Sequence, residues 1–192
     1  MRFLYLLFIL TFFYACKTKP IQEGDSMMNY PDMELIYKDY FIPIQNSNNQ
    51  FLKIEYKENK KDSSVLNANN MDWNYMHSLF TEANLYDKKF DKTYSISIIQ
   101  DTLDPLMTLI YTSLDKNNLV QKLNIKATVS DNKINSIYWE TLKHGFMSKE
   151  EKKILYVVDK TIQIQEYNKK PLSDPSKTVI QYNIITATKD SM

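Results

Sequence analysis

Two glycines, one cysteine, one arginine and two histidines in a chain of 192 residues exclude a good deal of chemistry. The glycines stand at 24 and 145, so the chain has neither a Gly-x-Ser-x-Gly elbow for a nucleophilic serine nor a glycine-rich loop to cradle a phosphate. His77, His144 and Cys16 are far apart, and none belongs to the closely spaced ligand pairs of a zinc site. No metal and no cofactor is expected. Arg2, the lone arginine, lies at the extreme N-terminus, and the forked side chain best suited to phosphate and guanine edges is missing from the rest. Nucleic acid is therefore not an expected partner. A single thiol also leaves no internal disulfide, so stability must come from packing. With 43% hydrophobic and 13% aromatic residues, the chain has the material for that.

The N-terminus carries the most specific pattern. Arg2 is followed by an apolar and aromatic run from Phe3 to Tyr14, softened only by Thr11, and then by Ala15-Cys16. A charged residue, a short apolar stretch and a small residue, in that order, are the layout of a secretory signal. The run is well short of the ~20 residues that a membrane-spanning helix needs. Phe13-Tyr14-Ala15-Cys16 resembles the lipobox of bacterial lipoproteins, in the looser form of the Bacteroidota. The usual Leu and small residue before Ala are replaced here by Phe13 and Tyr14. The resemblance implies cleavage before Cys16, acylation of its thiol, and a membrane partner held through N-terminal lipid. More than one buried acyl chain, at about 0.8 kcal/mol per methylene, makes such an anchor stable. Lys17 follows the cysteine where an acidic residue would signal inner-membrane retention. The expected location is the outer membrane, periplasmic side.

On that reading, residues 1–15 are the signal, 16–29 the lipidated cysteine and a flexible tether containing Pro20 and Gly24, and 30–192 a single domain. Removing the leader removes Arg2, leaving 24 minus 1, or 23, lysines against 23 acidic residues. The mature chain is formally neutral.

Within the domain, Met33 to Ile44 is ambiguous between a strand and a helix, because Met33, Leu35, Tyr37 and Phe41 alternate while Pro31, Asp32 and Glu34 suit a helix start. Phe51 to Tyr56 reads as a short strand, and the charged stretch Glu58 to Asn70 as a solvated loop. Trp73, Met76, Phe80 and Ala83 then fall at helical spacing. They predict one main helix at about 71–84, with Asn70 as its cap and Asp72 in its first turn. Alternation returns at Tyr94–Ile98, Met107–Tyr111, Leu119–Val129 and Ile134–Leu142. Ser148 to Glu151 fits a capping box. Ile154, Tyr156, Val158, Ile162 and Ile164 share a face of one strand running to Tyr167, and Val179 to Thr186 returns beyond the loop from Pro171 to Pro175. So few glycines leave Asn and Asp to supply unusual turn conformations. The expected fold class is α+β: an antiparallel β-meander of about five to seven strands packed against the helix.

The functional signals are sparse. His77 reads as a core or border histidine on the helix, and His144 as a loop residue. Tyr138 and Trp139 must face opposite sides of a strand. Either Trp139 is core with Ile137 and Tyr138 packs under a loop, or Tyr138, Trp139, His144 and Phe146 mark an aromatic contact site for a sugar, peptide or protein. No enzyme is expected. The favoured function is a lipid-anchored, non-catalytic binding or interaction module of the cell envelope, with an envelope protein as a possible partner and oligomeric state open. Two alternatives stand beside it: a carrier or sensor of an apolar ligand held between sheet and helix, and an envelope hydrolase built on carboxylates or the two histidines.

Overall fold

Capping separates helix from strand in the ambiguous N-terminal segment. In a computed structural model, which describes residues 30–58, 60–100 and 104–185, helix α1 runs over Met33–Gln45. The Asp32 side chain accepts hydrogen bonds from the amides of Glu34 and Leu35, two of the donors that a helix start otherwise leaves without partners. Met33, Tyr37, Phe41 and Ile44 are buried on one stripe while Leu35 is 55% exposed, so the helical period prevails over alternation. Helix α2 spans Trp73–Glu82 and is capped by Asp72, whose carboxylate accepts from the amide of Tyr75 at 2.9 Å. Asn70, expected to cap it, ends a short 3-10 turn at Ala68–Asn70 instead. Among the described residues there are thus two α-helices, the expected main one and that formed by the segment ambiguous between strand and helix. The leader, Cys16 and the tether fall outside the described residues.

All nine described strands are antiparallel members of one sheet. They are β1 (Gln50–Lys57), β2 (Lys60–Asn67), β3 (Tyr94–Gln100), β4 (Leu106–Ser113), β5 (Val120–Thr128), β6 (Ile134–Gly145), β7 (Ser148–Val157), β8 (Thr161–Lys169) and β9 (Ser176–Ile185). The spatial order is β2-β1-β9-β8-β7-β6-β5-β4-β3. From β3 to β9 the chain is a plain meander. The β1-β2 hairpin then docks beside β9, Gln50 opposite Ile185, so that the first strand of the sheet pairs with its last.

The strand count exceeds the expected five to seven for two physical reasons. Lys60–Asn67 was expected to be a loop, and it is a strand held to β1 by main-chain pairing although almost all its residues are exposed. The stretch expected as one strand through Tyr167 turns at Val158–Lys160, with Asp159 in the left-handed region at φ 57°. Ile154 pairs with Ile164 and Tyr156 with Ile162, so both halves of the hairpin put their even-numbered residues on the same face. That coincidence makes the pair look like one long strand. Ser148–Glu151 opens β7, with Ser148 opposite Gly145, and is no capping box. Nor do Asn and Asp dominate the turns: Glu58, Lys92, Met147 and Leu172 take positive φ alongside Asn132 and Asp159.

Both helices lie on the face that carries Trp139, Ile137, Ile154, Tyr156, Ile162 and Ile164. Phe41 meets Tyr156 with ring centroids 4.6 Å apart, and Phe80 meets Phe41 at 4.8 Å. Trp139 is fully buried with Ile137, as the core reading of that pair anticipated.

Candidate ligand-binding cleft on the open face of the sheet

Side chains on a strand alternate between faces. Where the even residues of β7 meet the helices, the odd ones, Lys149, Glu151 and Lys153, point to the other face. Pairing carries that face across the hairpins, bringing Tyr167 of β8 opposite Glu151, Gln165 opposite Lys153, and Lys177 of β9 opposite Tyr167. These six residues, together with Glu166, line a cleft of about 310 Å³. Glu151 sits among the lysines: one carboxylate oxygen is 2.8 Å from the Lys149 ammonium, the other 3.2 Å from that of Lys153. The hydrogen bond from Lys149 does most to hold the Glu151 carboxyl below its ordinary range; burial opposes it, and Lys153 adds to the lowering. Glu151 therefore remains ionised. The lining as a whole, three lysines against Glu151 and Glu166, is formally +1, and the side chains on the open face alone, three lysines less Glu151, are +2. The Lys149 ammonium also lies 5.8 Å from the centre of the Tyr167 ring. Glu166 also lines the cleft, but its carboxylate goes to the opposite face, where it accepts a 2.5 Å hydrogen bond from the Tyr75 hydroxyl of α2.

Charge on the helix side of the same strands is balanced and used structurally. Glu82 of α2 is 2.8 Å from Lys143 and 3.5 Å from Lys152, and Lys152 is 3.2 Å from Glu150. Burial pushes the Glu82 carboxyl up, but its two lysines together outweigh that and hold it below the ordinary range. Tyr75 is pushed far above its usual value by burial first and by Glu166 second, so its hydroxyl keeps its proton and donates. These contacts clamp α2 onto β6, β7 and β8.

The residues proposed from sequence do not form one site. Trp139 belongs to the core, 4.9 Å from Phe80. Tyr138 faces the other way, half-buried, and its hydroxyl donates to Glu140 at 2.6 Å. His144 is the next-to-last residue of β6 and no loop residue, exposed and opposite Lys149, so it stands at the rim of the cleft. Phe146 is 91% exposed in the β6-β7 turn. Cys16 lies outside the described residues. His77 lies beside the Tyr37 ring at 4.8 Å, with its Nε2 3.3 Å from a single carboxylate, that of Glu34. Among the described residues, no group of three or more His, Cys, Asp or Glu could hold a metal. A second cavity of about 290 Å³ lies by the end of α1, where Asp39, Tyr40, Pro43 and Ile44 meet Lys133 and Asp159. Tyr40 is occupied there, its hydroxyl accepting from the amide of Ile134 at 3.0 Å.

The cleft lysines escaped a reading of local pattern. Lys149, Glu151 and Lys153 fall within or beside a stretch that also fits a capping box, and Tyr167 and Lys177 join them only through the register of two hairpins.

Fold and site together define an α+β protein: an open nine-stranded antiparallel sheet with two helices on one face and a cationic cleft on the other. No family model, no curated protein and no solved structure matches the chain.

Proposed function

We propose that this protein is a lipid-anchored binding module of the bacterial cell envelope, without chemistry of its own, whose ligand site is the cleft between β7, β8 and β9. The observation that carries the reading is the placement of Lys149, Lys153 and Lys177. Three cations line one cleft on the face that does not build the core, two of them paired with the Glu151 carboxylate. A folded sheet gains little from such a cluster, since like charges repel and exposed ion pairs contribute only about 0–1 kcal/mol. An arriving anion gains more. The anchor is the acylated Cys16, and the module faces the periplasm from the outer membrane. The carrier alternative has less support, because Phe41, Phe80, Trp139 and Tyr156 fill the space between sheet and helices where an apolar ligand would sit.

Two measurements test the reading. Intact mass and detergent partitioning of the protein beside Cys16→Ser should show acyl mass and the detergent phase in the first and neither in the second. Amine acetylation, read by mass spectrometry, should find Lys149, Lys153 and Lys177 less reactive in intact envelopes than in the purified protein, with Lys88 and Lys116 unchanged. Equal reactivity at the three cleft lysines would remove the site.

A further inference from the structure

We propose that the cleft and the lysine rows beside it bind an acidic polysaccharide, a sugar chain bearing uronate-type carboxylates at intervals. The proposal rests on the reading of the cleft as the ligand site and gives its ligand a chemical class.

The first ground is an asymmetry of charge. Across β5 to β9 the open face carries Lys122, Lys126, Lys149, Lys153, Lys169 and Lys177 against Glu140 and Glu151, a balance of six minus two, or +4, which becomes +3 when Asp104, 3.7 Å from Lys126, is counted with it. The helix face of the same strands carries Lys143 and Lys152 against Glu150 and Glu166, a balance of zero. Within these five strands the cationic excess thus lies on one side of the sheet. Glu151 and Glu140 are engaged within that face, the first by two lysines and the second by the Tyr138 hydroxyl.

Spacing and residue type narrow the ligand. Lys122 and Lys153 flank Glu140 in one cross-strand row, two strand spacings or roughly 10 Å apart. Point charges at that interval, on flexible stems, suit a polyuronate chain whose alternate rings turn their carboxylates to the same side. A forked guanidinium would favour a planar bidentate anion, and the domain has none. Between the lysines lie hydrogen-bonding side chains matched to sugar hydroxyls, Gln163 and Gln165 of β8 and Gln181 of β9, with the Tyr167 ring as a platform for a sugar face. A bilayer surface fits less well, since the charged groups of the cleft are set in a concave lining that presents no continuous apolar surface for insertion.

The test is binding of the full-length protein, in detergent, to three probes: polygalacturonate, the same polymer fully methyl-esterified, and vesicles of phosphatidylglycerol. The proposal expects binding to polygalacturonate that weakens with added salt, is absent for the ester, and falls at least about tenfold in Lys153→Glu/Lys177→Glu. Lys88→Glu/Lys116→Glu, which changes net charge equally elsewhere, should bind as the wild type does. Circular dichroism checks the fold, and Lys153→Ala/Lys177→Ala replaces the double reversal if that variant is misfolded. Failure to bind polygalacturonate, equal binding of the ester, binding to vesicles alone, or undiminished binding by the folded cleft variant would each overturn it. Cleft lysines protected in envelopes while polygalacturonate fails to bind would reject the ligand class and leave the site standing. Loss of both would reject the two together.

Discussion

Phe80 of α2 meets Trp139 of β6 edge to face, ring centroids 4.9 Å apart, at a point where both side chains are out of solvent. Each is the centre of its own element's apolar face, so this one contact joins helix layer to sheet. Phe41 and Tyr156 close around Phe80 from the other side. Replacing Phe80 by Ala leaves a cavity that so many flanking rings cannot collapse to fill. The expected loss is about 3–5 kcal/mol in urea unfolding. Tryptophan emission should shift to the red as water reaches Trp139.

Acid should act through the clamp beneath α2. The Glu82 carboxyl is held below its ordinary range when folded, so the stability it adds is present above its unfolded pKa and is lost as pH falls through the folded one. Lys152 works in the opposite sense. Burial alone would lower it, but Glu82, Glu150 and Glu166 raise it on balance, and its contribution fades only as pH rises through the folded value. Urea midpoints should therefore be level across neutral pH and drop in the acid range. Glu82→Gln should cost about 1–2 kcal/mol on the plateau and make the acid limb shallower. An unchanged acid limb would assign the loss to other carboxylates.

What the sequence disclosed depended on whether a side-chain pattern or main-chain pairing carries each element. Strands β4 to β6 were legible because one face is wet: Leu123, Ile125 and Ala127 are buried while Lys122, Asn124 and Lys126 are not. The same alternation placed Trp139 in the core and Tyr138 opposite. Strand β2 has no such contrast. Lys60 to Val65 are exposed on both faces, and only backbone hydrogen bonds to β1 hold them extended. The turn at Val158–Lys160 contains no glycine or proline to announce it, and Asp159 makes it at positive φ. For the cleft, Ser148-Lys149-Glu150-Glu151 satisfies a capping box and a strand equally well. Pairing with β6 and β8 decides between them, and no local pattern records it.

The two edges of the sheet are guarded differently. Strand β2 presents Lys60, Lys61 and Asp62, charges that discourage pairing with another chain. Strand β3, Tyr-Ser-Ile-Ser-Ile-Ile-Gln from 94 to 100, has no charge and no proline, and Ile98 and Ile99 are 43% and 57% exposed. It ends the described sheet, pairing with β4 alone. Self-association at high concentration should therefore proceed through β3. Ile99→Lys should suppress it in light scattering while changing stability by no more than about 0.5 kcal/mol, as expected for an exposed position. The matching change at Val65→Lys on β2 should leave scattering as it was.

Met147 makes the two-residue turn between β6 and β7 with φ 58°, a conformation in which a side chain's Cβ crowds the backbone at a cost of roughly 1–2 kcal/mol. Its side chain is 65% exposed and returns little packing. Glycine adopts that conformation without the clash but carries more freedom into the unfolded chain, so part of the gain is offset. Met147→Gly should raise stability by about 0.5–1 kcal/mol, seen as a later urea midpoint at unchanged slope. The same change at Phe146, the other turn residue, removes no left-handed strain and should lower the midpoint or leave it in place. A gain at Phe146 equal to that at Met147 would trace the effect to chain flexibility, and the strain assigned to Met147 would have to be given up.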